Sequence, residues 1–247
     1  LILDKLWFYC VAFILIILGR YFLIAGGTYL LFYSVLGKFF VKQRSLRKTP
    51  KWESIQKDIK LSLISTVVFG LCAAFIMSEY DLGLTLLYSD FSKYGLWYLG
   101  ISFLGVLILQ DTYFYFIHRL FHNSLFFKWL HQGHHGSREP TPWTSFAFDP
   151  PEAIIQTLFF LVIVFVMPLH FITVIAALIT MTVWAVFTHL GFEIFPSSFP
   201  RHWLGKWLIG PTHHSTHHRK YTVHYGLYFT WWDKLLNTHD PNYDHWH

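Results

Sequence analysis

The chain has 247 residues, of which 54% are hydrophobic, 21% aromatic and only 13% charged, against about 25% charged in soluble domains. That deficit argues against a soluble domain and for a polytopic membrane protein folded as a single domain, 1–247. The formal charge of +5 comes largely from Lys38, Lys42, Arg44, Arg47, Lys48, Lys51, Lys57 and Lys60, a loop between two apolar runs. It reads as a topology signal rather than a nucleic-acid module.

Taken in chain order, the first apolar run spans 6–33 and is broken only by Arg20. As one helix it would be about 42 Å long, more than a bilayer core of about 30 Å. It is therefore either tilted or bent near Gly26-Gly27, with Arg20 snorkelling or paired to a carboxylate. The sequence opens on Leu1 and so leaves room for a leader ahead of it. Cys10 and Cys72 both sit in apolar runs, which speaks against a disulfide framework or a Cys-type zinc site. Further spans are expected at 61–77 and 96–117, joined by an acidic connection with Glu79, Asp81 and Asp90. Two short runs, 153–167 and 171–187, are split by Pro168; they form either a full hairpin or one that dips in and returns. The last segment, 189–247, is mixed. Its Trp203, Trp207, Trp231, Trp232 and Trp246 suit a membrane interface.

If the basic loop is cytosolic, residues 79–94 and His170 face outward, while 118–152 and 189–247 face the cytosol. Of the sixteen histidines, only His170 then falls on the outer side.

The histidines cluster as "HRLFH" (118–122), "HQGHH" (131–135) and "HHSTHH" (213–218). On a helix, positions i, i+3 and i+4 share a face. Each box should thus present its imidazoles to one point: His118 with His122, His131 with His134 and His135, and His214 with His217 and His218. Eight imidazoles exceed the ligand set of one ion and suit two. Imidazole alone does not choose among zinc, copper, iron and nickel. His189, at the end of the last span, is read as a further ligand. His213 breaks the register of its box and is read as ordinary, and His202, His239, His245 and His247 as solvated. Asp111, seven residues before His118, and Asp149, Glu152 and Glu193 are candidates to orient imidazole N–H groups. Tyr113, Tyr115, Trp143 and Phe146 are candidate substrate walls, with core packing the better reading for each.

The order of the boxes resembles the fatty acid hydroxylase/sterol desaturase superfamily of membrane di-iron enzymes. "PTPWTSFAFDPPEAIIQ" (140–156), "MPLH" (167–170), "HLGFEIFP" (189–196) and "HHSTHHRKYTVHYGLYFTWWDKLLNT" (213–238) are most similar to the sterol C-5 desaturase type. The resemblance implies an all-α fold: a four-helix transmembrane core plus an N-terminal span, under a cytosolic helical cap carrying the metals. It implies two irons, for which zinc can substitute in a purified sample, on His118, His122, His131, His134, His135, His189, His214, His217 and His218. It also implies O2 as co-substrate and a sterol or other lipid drawn from the bilayer. Electrons would come from cytochrome b5 or a ferredoxin-like carrier. The location would be the endoplasmic reticulum in a eukaryote or the inner membrane in a bacterium. Desaturation and hydroxylation both remain open, the latter on a fatty acid, sphingolipid or carotenoid. Two departures stand out: His224-Tyr225-Gly226 where the family has Asn-Tyr-Gly, and Asp149 where the C-5 type has histidine. Asp111, Asp149, Glu193 and His224 are therefore carried as catalytic candidates. No G-x-G-x-x-G fingerprint or haem-type Cys motif is present. A histidine-rich metal transporter would need ionisable residues along its spans, and Arg20 and Asp111 are nearly alone there. A haem carrier would need only two axial histidines.

Overall fold

The computed structural model describes residues 2–37, 39 and 50–243. Lys38, Lys42, Arg44, Arg47 and Lys48 of the basic loop, and His245, Trp246 and His247, lie outside the described residues. The first helix, α1 (Ile2–Tyr21), runs on without a break. It passes through a π-helical stretch (Phe22–Gly26), the short α2 (Gly27–Tyr29) and a second π-helical stretch (Leu30–Val35). The bend considered at Gly26-Gly27 is thus replaced by two loosened stretches on either side of one normal turn.

Four more long helices follow: α3 (Trp52–Asp81), α4 (Leu96–Phe121) and, after the short α5 (Phe127–Leu130), the pair α6 (Pro150–Val166) and α7 (Phe171–Thr188). The cap ends in α8 (Pro211–Lys220) and α9 (Trp231–Leu235). Among the described residues, four helices are long and apolar enough to cross a membrane: Asp4–Val35, Trp52–Asp81, Leu96–Phe121 and Phe171–Thr188. Pro150–Val166 is a shorter apolar helix. Only 17–33% of each span's most apolar window is buried within the chain, so most of that surface needs an apolar solvent.

The helices begin and end beyond the apolar runs because hydropathy sees only the greasy part. α3 starts nine residues before 61 and carries Ile55 and Asp58 inward on an amphipathic first stretch. α6 starts on Pro150, a residue suited to the first turn because it lacks the N–H that would go unpaired there. α4 extends into the first histidine box.

The bundle has two distinct ends. At one, β1 (Leu87–Tyr88) pairs in parallel with β2 (Leu169–His170), and Leu86 N–H donates to the Val164 carbonyl at 2.8 Å. This ties the 82–95 connection to the tip of the α6–α7 hairpin, which therefore runs the length of its neighbours instead of dipping in and returning. Leu87, Val106, Phe159, Ile163, Val164, Leu169 and Ala177 form the apolar core there. Lys5 and Tyr9 of α1 reach Asp81 at this same end. α1 lies so close to α3 that a Cβ on Gly70 would come 2.4 Å from Ile14 Cγ1, which only glycine allows. At the other end Ser54 meets Ser137 at 3.0 Å, and all three histidine boxes gather there.

Arg20 meets no carboxylate in the observed contacts. Its guanidinium reaches the Leu178 carbonyl at 3.5 Å and lies 5.8 Å from the centre of the Phe146 ring. Trp203 and Trp207 are exposed. Trp231 and Trp232 instead use their indole N–H on Asp111 and Thr112, so they hold the cap together.

Candidate metal centre

The nine histidines read as ligands fall into two groups. His118, His122, His131, His135 and His217 form one; His134, His189, His214 and His218 form the other. Within each group one ring nitrogen per residue lies within 4.8 Å of all the others. This corrects the expectation that each box serves one point. The i, i+4 pairs stay together: His118 with His122, His131 with His135, and His214 with His218. The i+3 member of the second and third boxes crosses over, so His134 leaves its box for the second group and His217 leaves its box for the first. Each of these boxes therefore ties the two groups together. The second box is also not α-helical. It follows α5 as a turn and enters a 3-10 turn at His134–Gly136. Asp149 fixes this turn by accepting the Gly133 N–H at 2.6 Å. A Cβ on Gly133 would sit 2.3 Å from that carboxylate.

The Nδ1 partners decide what each ring offers to the interior. His118 Nδ1 donates to the Tyr225 carbonyl at 2.9 Å, His217 to Val223 at 2.7 Å, His134 to Ala147 at 3.3 Å, His189 to Ala185 at 2.6 Å, and His218 to Ser137 at 3.0 Å. His131 Nδ1 meets the Glu152 carboxylate at 2.8 Å, with both groups almost fully buried. A carbonyl can only accept, so Nδ1 carries the proton and Nε2 turns a bare lone pair inward. The Nε2 atoms approach one another inside the groups. His134 and His189 approach at 3.5 Å, His189 and His214 at 3.0 Å, His214 and His218 at 3.2 Å, and His135 and His217 at 3.1 Å, all Nε2 to Nε2. Between His134 and His189 both protons are committed to backbone carbonyls, so no hydrogen bond can form.

A shared cation relieves that repulsion. Two imidazoles at the usual metal–nitrogen length of about 2.1 Å lie about 3.0 Å apart at a right angle and about 3.4 Å apart at the tetrahedral angle. Burial supplies the right protonation state. It holds His189 down to about 4, and holds His131, His134, His135, His214, His217 and His218 well below the usual imidazole value, helped by the neighbouring rings. Neutral rings are what a metal requires. The donor set fits two divalent ions.

The carboxylates play other parts than expected. Asp111 touches no imidazole: Oδ1 accepts the N–H groups of Leu227, Tyr228 and Phe229, and Oδ2 the Trp231 indole. Asp233 likewise accepts from Tyr225 and Gly226 N–H and from the Thr238 hydroxyl. Together they pin the loop whose Val223 and Tyr225 carbonyls steer His217 and His118. Glu193 accepts Thr212 N–H at 3.2 Å and so anchors the start of α8. Of the four carboxylates read as imidazole partners, only Glu152 meets one.

Asp58 was missed. It is 3% exposed on α3, and accepts the Ser137 and Thr144 hydroxyls, each at 2.6 Å. Ser137 offers its carbonyl to His218, so Asp58 supports that ring at one remove. In sequence it is lost among Lys57 and Lys60; only the apolar i−3 neighbour Ile55 hints at an inward face. His224 joins neither group. It lies with His213 and His239 in a separate buried cluster, which also corrects the reading of His239 as solvated. Tyr113, Tyr115, Trp143 and Phe146 make packing contacts: Tyr113 bonds the Ile155 carbonyl, Tyr115 bonds Thr238, and Trp143 and Phe146 pack on Tyr21.

The family model described as fatty acid hydroxylase matches residues 103–238, over half of the chain and the whole of this centre. The chain belongs to the fatty acid hydroxylase family. Among curated proteins of that kind it is 31% identical over 209 residues to Delta(7)-sterol 5(6)-desaturase ERG3B of Gibberella zeae, covering 83% of this chain and 63% of that protein. It is 29% identical to the lathosterol oxidase of Homo sapiens, over 85% of this chain and 70% of the relative. With Delta(7)-sterol 5(6)-desaturase erg3C of Aspergillus fumigatus it shares 30% identity, over 87% and 72%. No solved structure matches the chain.

Proposed function

We propose that this chain is an iron- and O2-dependent membrane oxidoreductase that introduces the C-5 double bond into a Δ7-sterol. The names of its relatives support the substrate class, and the His134–His189 contact, with both protons held elsewhere, supports the metals. Two irons in the two histidine groups, with O2 and electrons from a carrier, would supply the oxidising power that no side chain has for an unactivated C–H bond. The chain's own residues do the rest. Backbone carbonyls and Glu152 fix the imidazole protons on Nδ1, and burial keeps the rings neutral. His134 and His217 tie each histidine box to both groups, so the spacing of the groups is set by covalent neighbours.

The centre lies at the end of the bundle that carries Lys51, Lys57 and Lys60, and the positive-inside tendency supports a cytosolic face for it. Exposed Lys128, Arg138 and Lys206 on the cap suit an acidic electron carrier such as cytochrome b5 or a ferredoxin. The sterol would enter from the bilayer.

The test is turnover in membranes carrying the protein, a reductase system and a Δ7-sterol. An O2-dependent product two hydrogens lighter is expected. A product one oxygen heavier would make the enzyme a hydroxylase. Full iron loading with no turnover of any sterol would overturn the substrate class.

A further inference from the structure

Outside the two groups above, three further imidazoles converge. His213 sits on α8 beside the third box, His224 in the loop after α8, and His239 just beyond α9. One ring nitrogen from each lies within 4.8 Å of the others. Their ring centres are 4.8 Å (His213–His224), 4.9 Å (His224–His239) and 5.8 Å (His213–His239) apart. The same spacing holds within the ligand groups, where His135 and His217 are 4.9 Å apart and His189 and His218 5.3 Å.

His224 is the telling member. It is 0% exposed, and both its ring nitrogens are buried without a hydrogen-bond partner. Its backbone is also held at φ 61°, a conformation few non-glycine residues adopt, by its N–H bond to the Thr238 carbonyl at 2.8 Å. A strained backbone that drives a polar ring into the interior with nothing to bond calls for a partner. Tyr243 stacks on His213 at 3.6 Å and closes one side. Asp240, bound to Lys220, supplies negative charge near His224. Burial keeps the His224 ring neutral, its pKa pushed down to about 3.

We infer that His213, His224 and His239 form a third, mononuclear metal site of the zinc type, which staples α8 to the loop and the segment after α9. Three imidazoles leave a fourth coordination position for water, as tri-histidine zinc sites do, and His239 is the least buried of the three. Binding has one local cost. His213 Nδ1 accepts the Gly210 N–H at 3.2 Å. If Nε2 ligates, Nδ1 must carry the proton; if Nδ1 ligates, its lone pair is used. Either way that long bond is given up in exchange for ligation. The inference does not depend on which reaction the di-metal centre performs.

The test uses the full chain in detergent with its iron in place, incubated with zinc sulfate alone, desalted and assayed for both metals. The expected result is one zinc per chain, lost in His239→Ala and in His224→Asn with iron content unchanged. Zinc should also raise the thermal midpoint of the wild type and not that of His239→Ala. His239 is only partly buried, so its truncation leaves the core intact. Equal zinc content in the wild type and both variants would overturn the proposal and leave an imidazole cluster held by packing alone.

Discussion

Two ends of one bundle hold buried histidines, and they use them differently. At the end formed by β1 and β2, His170 has both ring nitrogens engaged by backbone: Nε2 reaches the Ser89 carbonyl and Nδ1 accepts the Ile172 N–H, each at 3.0 Å. Nothing is left over, and the ring caps α7. At the opposite end, His118, His134, His189, His217 and His218 each give Nδ1 to a backbone carbonyl and turn Nε2 toward another imidazole. Burial is common to both ends. What separates a structural histidine from a ligand is the nitrogen without a proton or a donor to face.

The contrast breaks most severely if a crossing histidine is removed. His134→Ala should empty the four-histidine group and loosen the other, with activity falling more than about 100-fold, beyond what loss of a supporting group costs. Iron content and turnover measured together would show it, and full iron retention would deny His134 a ligand role. Next comes Glu152→Ala, which frees the His131 ring. Iron affinity should fall about 10–100-fold in a chelator competition, with far-ultraviolet circular dichroism unchanged.

A smaller effect is expected for Asp58→Asn. One of the Ser137 and Thr144 hydroxyls loses its acceptor, at a cost of about 1–3 kcal/mol, read as a lower thermal midpoint, with a weaker His218 site as the companion signal. The pH response has a definite sign. The box imidazoles are held neutral far below the value of about 6.5 they have when unfolded, down to about 4 for His189. As pH falls below 6.5, the unfolded chain gains protons that the folded chain cannot bind. The metal-free protein should therefore lose stability progressively from pH 6.5 toward 4 and keep it above 6.5; a flat thermal midpoint across that range would contradict the burial. Least affected of all should be His170→Ala. Losing the α7 cap costs about 0.5–2 kcal/mol, and iron content should not change.

Much of this was legible in the residues. The apolar runs located the helices, because burial in lipid and helix formation select the same residues. The histidine spacing located the donors, because i and i+4 share a face on any helical turn. The division of the boxes was not legible. It depends on a 3-10 turn at His134–Gly136 and on how α8 lies against it, neither of which the spacing encodes. Asp58 was hidden because its helix begins before the apolar run, where charge reads as loop. Asp111 was visible as a buried carboxylate, but its partners are the backbone N–H groups of Leu227, Tyr228 and Phe229, over a hundred residues away and indistinguishable in sequence from any others. His239 reads as surface until α9 folds it back onto His213.

The measurement to make is Mössbauer spectroscopy of the anaerobically purified, reduced protein loaded with iron-57. Five imidazoles in one group and four in the other predict two ferrous environments in equal amounts. A single iron environment would contradict the division of the boxes between two metals.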